Sequence, residues 1–163
     1  MQVISNNLLG KMPIRQDAII RINLAWIKNI KEAERLVAKS KHKIYLDYPT
    51  GRLKPPQPKI SLTEALELSH HKKVKYFAVS NCEFVESVRE LMESTPAIFV
   101  PKIETELGVK NMGKMAKLGI KHFMLDKEDL YTECKSENKK YLKLVKKAHR
   151  YKGVMELQGV VFI

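Results

Sequence analysis

Short apolar, β-branched runs alternate with longer amphipathic stretches along this chain, and that alternation restricts the fold more than any other feature. The runs fall at residues 18–25, 43–47, 74–80, 97–103, 122–125 and 153–157. Several are apolar at successive positions, the pattern of parallel strands covered on both faces. The stretches between them place apolar residues three and four apart, as in Ile27, Ile30, Ala33, Leu36 and Val37, which predicts helices burying one face. Strand, helix, strand in repetition predicts right-handed βαβ units and a parallel sheet. Ser61 with Glu64 three residues on predicts a capping box. Asn81 is expected to cap a helix over 82–92, Ser136 to cap a basic helix, and Gly119 to end a helix begun at Glu106. The stretch YPTGRLKPPQP, from Tyr48 to Pro58, has too many Pro and Gly for either element. It predicts a long loop at the carboxyl end of the Asp47 strand.

The 163 residues suffice for one domain with a real core, and residues 1–163 are expected to form a single unit. No apolar run approaches the ~20 residues a membrane helix needs, and the N-terminus lacks the order of a signal peptide, so no membrane partner is expected. Cys82 and Cys134 form no CxxC pair, which argues against a disulfide framework or thiolate zinc site and for a reducing, cytoplasmic setting. Lys and Arg number 30 against 18 Asp and Glu, a net charge of +12. Much of the excess lies at Lys139, Lys140, Lys143, Lys146, Lys147, His149 and Arg150, interleaved with Tyr141, Leu142, Leu144, Val145 and Ala148. That is the wet face of an amphipathic helix. No nucleic-acid-binding motif accompanies it, so a basic RNA- or phosphate-surface binder ranks last among the readings, and the remaining cations serve small anions just as well.

In parallel βα sheets and barrels, chemistry sits at the carboxyl ends of the strands. Arg21 and Asn23 stand two apart and share a face, as do Lys102 and Glu104. Other strand ends bring Asp47, then Ser80 and Asn81, then Asp126, Glu128 and Asp129. A Lys and a Glu inside an apolar strand cost several kcal/mol unless paired or bound. They read either as a buried ion pair or as a site, with Glu104 and Asp129 holding a hard cation and Lys102 and Arg21 facing an anion. Two carboxylates with water and substrate oxygens are what Mg²⁺ commonly takes.

Arg21 to Trp26 (RINLAW), KIYLDYPTGR, Lys102 to Val109 (KIETELGV), Met124 to Leu130 (MLDKEDL) and Glu156 to Gly159 (ELQG) occur in the order of the pyruvate kinase barrel. They resemble its RxNFSH, LDTKGPEIR, KIENxxG, ARGDLG and ATQML segments. The resemblance covers nearly the whole chain. It implies a parallel (β/α)8 TIM-type barrel acting on phosphoenolpyruvate, pyruvate or a related 2-oxo acid. It further implies Glu104 and Asp129 as ligands of Mg²⁺ or Mn²⁺, Lys102 and Arg21 as catalytic cations facing the phosphoryl or enolate group, and Glu128 beside the substrate. Asn23 and Asp47 would contribute to a K⁺ site.

The sequence departs from the family at several of these places. Ala25 stands for a Ser and Tyr48 for a Thr at the monovalent-cation site, Glu128 for a Gly, Leu157 for the Thr near the enolate carbon, and Leu107 at a polar signature position. No segment corresponds to the inserted β domain or the C-terminal domain. A metal-dependent carbon–carbon lyase of the same superfamily and a non-catalytic barrel relative are therefore alternatives to a kinase-like phosphotransferase. About six βα strands are expected where the barrel needs eight, with room before Arg21 for one further strand around Met1 to Ser5. The expectation is an incomplete barrel, either completed by a missing segment or pairing its open edges with another copy.

Overall fold

The computed structural model describes residues 3–8, 14–51, 56–135 and 137–157. Seven parallel strands pair in chain order: β1 (Val3–Ser5), β2 (Ile19–Asn23), β3 (Lys43–Tyr48), β4 (Val74–Val79), β5 (Ile98–Ile103), β6 (Phe123–Asp126) and β7 (Val154–Leu157). The helices are α1 (Ile30–Lys39), α2 (Leu62–Ser69), α3 (Val85–Glu93), α4 (Glu106–Lys117), α5 (Lys127–Glu133) and α6 (Asn138–Ala148). The six expected strands are all present, and β1 adds a seventh. A complete eight-stranded barrel is not what forms: β1 and β7 do not pair among the described residues. Ser136, the Arg52–Pro55 part of the expected loop and Gly159 lie outside the described residues.

The two faces of the sheet are built from alternate residues. One set, including Ile20, Ile22, Ile44, Leu46, Phe77, Phe99, Ile103, Phe123 and Leu125, packs in the core shared with Ala33, Val37, Ala65, Val88, Met112 and Leu144 of the helices. The other set, Val3, Ile19, Tyr45, Tyr76, Ala78, Val100 and Met124, forms a second buried cluster of sheet residues alone. Burial without a helix on that side requires the sheet to curl upon itself. The Tyr45 hydroxyl lies 3.5 Å from the Met124 sulfur, although β3 and β6 are three strands apart. Across a flat sheet, three strand spacings come to about 14 Å. A register shift between Ile44 and Tyr45 sets Tyr45 opposite Tyr76 and Asp47 opposite Ala78. Since a one-residue slip moves a strand's side chains to the other face, this irregularity keeps β4 in phase with the inner cluster.

Local chemistry accounts for most boundaries. Ser61 and Glu64 form the complete capping box that begins α2. Asn29 caps α1, so that helix starts at Ile30 rather than Ile27. Gly119 follows α4 with φ of 94°, the left-handed position only glycine takes without strain. Asn81 does not cap α3: its φ is 53°, and the helix starts at Val85 after Phe84, which provides no side-chain cap. The short helix α5 was not apparent from the sequence. Asp126 caps it by accepting from the Asp129 backbone N–H.

Candidate active site

The inner face changes character along the strands. Near their amino ends it carries Ile19, Tyr45, Tyr76 and Val100; two or four residues further along the same strands come Arg21, Asn23, Asp47, Ser80, Lys102 and Glu104, and Asp126 follows two beyond Met124. Strand alternation and the register pairs Asn23 with Asp47 and Lys102 with Met124 bring these polar groups to one end. A cavity of about 430 Å³ opens there, lined by Arg21, Asn23, Lys102, Glu104, Asp126, Glu128 and Asp129 among others. Asp47 lies beneath its floor, fully buried.

Lys102 is the centre of the polar network. Its Nζ donates to Ser80 Oγ at 2.9 Å, pairs with Glu104 Oε1 at 3.0 Å and lies 3.6 Å from Asp47 Oδ1. Burial opposes the Lys102 charge, but Asp47, Glu104 and Asp126 outweigh it and hold its pKa above the ordinary lysine value. Lys102 is thus a fixed cation rather than a neutral nucleophile. Arg21 Nε donates to Asp47 Oδ2 at 2.8 Å, and its Nη2 contacts the same oxygen. Burial works to raise the Asp47 pKa, but Lys102 and Arg21 bring it below the ordinary carboxylate value. Asp47 Oδ1 accepts no hydrogen bond, so Lys102 is its compensation. Asn23 Oδ1 accepts from the Ala25 N–H at 3.0 Å. The Asn23 and Asp47 oxygens suggested for K⁺ therefore face protein partners.

Glu104 is held from three sides. Lys102 and Ser80 Oγ, the latter at 3.2 Å, reach Oε1, while the Asn81 backbone N–H donates to Oε2 at 2.8 Å. The left-handed backbone at Asn81 aims that N–H, and its side chain donates to the Thr50 carbonyl at 2.6 Å. Ligand oxygens of Glu104, Asp126 and Asp129 lie within 4.8 Å of one another. Oxygens sharing one Mg²⁺ are at most about 4.2 Å apart, twice its 2.1 Å bond, so a small inward adjustment suffices. Three hard carboxylate donors and no imidazole or thiolate fit Mg²⁺ or Mn²⁺. Burial pushes the Asp126 carboxyl above its ordinary pKa, against the pull of Lys102.

The cavity therefore gathers Arg21, Asn23, Lys102, Glu104, Glu128 and Asp129, all singled out from the sequence, with Asp47 supporting them from below. Sequence reasoning placed Asp126 at the rim without a ligand role, and did not foresee Ser80 and Asn81 as the groups that orient Lys102 and Glu104. Asp126 followed three residues on by Asp129, before Leu130, was the available signal for a helix start. Cys82 is inert packing: burial pushes its thiol up to about 12. No helix among the described residues is long and apolar enough to cross a membrane. Compared with models of known protein families and with curated proteins, the chain matches none.

Proposed function

We propose that this chain is a metal-dependent enzyme of the pyruvate kinase-like barrel type, acting on phosphoenolpyruvate, pyruvate or a related 2-oxo acid. The observation that carries the proposal is the convergence of Glu104, Asp126 and Asp129 beside the buried, ion-paired Lys102 on the floor of one cavity. Glu104, Asp126 and Asp129 would hold Mg²⁺ or Mn²⁺, which supplies Lewis-acid charge to the substrate's oxygens when bound. Lys102 faces negative charge that develops on the substrate, and its fixed contacts mean that little reorganisation is needed as that charge appears. Arg21 lines the same cavity. A guanidinium has five N–H donors, so pairing with Asp47 leaves it able to orient a carboxylate or phosphate as well.

The balance of charge at the mouth favours a small oxo acid over a nucleotide. Among the described residues, Glu104, Asp126, Glu128, Asp129 and Glu133 line the cavity against Arg21 and Lys102. A polyphosphate would meet more repulsion there than a compact carboxylate. The lyase form of the proposal is thus the second reading, and it needs no nucleotide.

A thermal-shift titration with Mg²⁺ and oxalate, a mimic of the pyruvate enolate, tests the site. Oxalate at 100 times its Kd would stabilise by about 2.7 kcal/mol, or roughly 5–10 °C for a domain of this size. The shift should vanish without the metal and in Asp129→Asn, whose exposed side chain makes misfolding of the variant an implausible cause. An additional shift with ADP supports phosphoryl transfer, and its absence favours the lyase. No shift with oxalate and Mg²⁺ in the wild type would leave a non-catalytic barrel relative.

A further inference from the structure

The basic helix recognised in the sequence has a counterpart that only the fold reveals. α4 carries exposed Lys110, Lys114 and Lys117, with Lys121 just beyond its end; α6 carries exposed Lys139, Lys143 and Lys146, with Arg150 just beyond. Both sets follow the same three- and four-residue steps, so each forms one row down one helix face. Both helices run back between consecutive parallel strands and are therefore parallel to each other. They are in contact, and Lys140 of α6 pairs with Glu106 at the start of α4 at 2.6 Å, so the two helices begin at the same level.

Beyond Glu106, which pairs with Lys110 and Lys140 where the helices begin, the surface they share is of one sign. Residues 107–125 and 138–155 together hold eleven Lys and Arg and no Asp or Glu. Among the described residues no carboxylate pairs with Lys114, Lys117, Lys121, Lys139, Lys143, Lys146 or Arg150. An ordinary solvated helix intersperses charges of both signs, whereas two aligned single-sign rows concentrate a field.

We propose that the α4–α6 face binds the phosphate backbone of double-helical nucleic acid. The first three cations of a row span about 10 Å, the axial rise of roughly three base pairs of a duplex at 3.4 Å each. Packed helices place the two rows about 10 Å apart, within the roughly 6–12 Å widths of duplex grooves. Backbone rather than base recognition follows from the side chains on offer. The nearby tyrosine rings are engaged within the protein, Tyr141 against Tyr131 and Tyr151 against Phe123, so neither is presented for stacking on single-stranded bases. An anionic membrane fits less well, because α6 turns Leu144 and Ala148 into the core and exposes only Leu142 as a large apolar side chain.

Fluorescence anisotropy with labelled 20-base-pair RNA and DNA duplexes tests this, using the full chain from 50 to 300 mM KCl. Binding to either duplex, or both, with a log Kd against log salt slope of at least about 4 is expected, and the pair of probes identifies the source of the phosphates. The quadruple variant Lys114→Gln, Lys117→Gln, Lys143→Gln and Lys146→Gln should reduce that slope by about 3–4, while replacement of the same four by Arg should preserve binding. Neutralising Lys28, Lys31, Arg35 and Lys39 on the α1 side removes the same total charge and should leave the slope within about one of the wild type. A wild-type slope below about 2, equal losses in the two neutralised variants, or binding to phosphatidylserine vesicles without duplex binding would each overturn the proposal.

Discussion

Lys102→Met removes the one cation that touches both Glu104 and Asp47 among the described residues, and its effect can be worked out from their burial. The Lys102 side chain is 6% exposed and Asp47 is 0% exposed, so solvent cannot replace the lost charge. Deleting one partner of a buried ionic cluster costs about 3–5 kcal/mol, because the remaining charge stays desolvated. Arg21 still pairs with Asp47, which places the expected loss near the lower end. About 3 kcal/mol is a large share of the ~5–15 kcal/mol by which a domain is stable. Urea unfolding followed by far-ultraviolet circular dichroism measures it. Lys110→Met, which breaks an exposed pair with Glu106, should leave the urea midpoint unchanged.

The pH dependence supplies the sharper test. In the wild type the Asp47 pKa is lowered from 3.8, so its contribution is present above that value and is lost as pH falls through the lower folded value. Lys102 is raised above 10.5, so its contribution is present below 10.5 and is lost only at higher pH. Between these limits the cluster's contribution is flat. Lys102→Met removes the strongest electrostatic pull on Asp47, and burial then favours the neutral acid. The sign reverses: the variant gains relative stability on acidification. The penalty should therefore be largest at pH 7 and smaller at pH 4.5. A penalty under about 1 kcal/mol, or an equal one at both pH values, would refute the reasoning.

Two further substitutions test the frame around the site. A Cβ at Gly153 would lie 2.1 Å from the Lys121 carbonyl oxygen at φ of 77°, whereas one at Gly119, φ 94°, meets nothing within 4 Å. Gly119→Ala should cost about 1–2 kcal/mol from backbone strain alone, and Gly153→Ala clearly more, as read by thermal unfolding. Ser61→Ala removes one half of the α2 capping box and should cost about 1 kcal/mol in the same assay; no loss would show that the cap is redundant.

Much of the site was legible because period-two alternation is a local property. Arg21 with Asn23, and Lys102 with Glu104, had to share a face once their segments were strands, whatever their neighbours did. Asp126 was harder to assign, because its role depends on α5 turning back immediately so that Asp129 returns towards Glu104. From the sequence Asn81 reads as a polar strand end and as a helix cap, because Asn is a good one. Its actual position, left-handed and donating to Glu104 from the backbone, depends on the tertiary contact with Thr50.

The sequence by itself determined the alternating elements, the parallel order they imply and the residues that reach the strand ends, since these follow from spacing along one chain. Only the tertiary structure decided how far the sheet curls, which cations neutralise Asp47, and that α4 and α6 lie side by side with their lysine rows aligned. Those outcomes depend on contacts between residues far apart in sequence. Residue spacing constrains which side chains share a face; packing sets their distances, and electrostatic interaction depends on distance and burial.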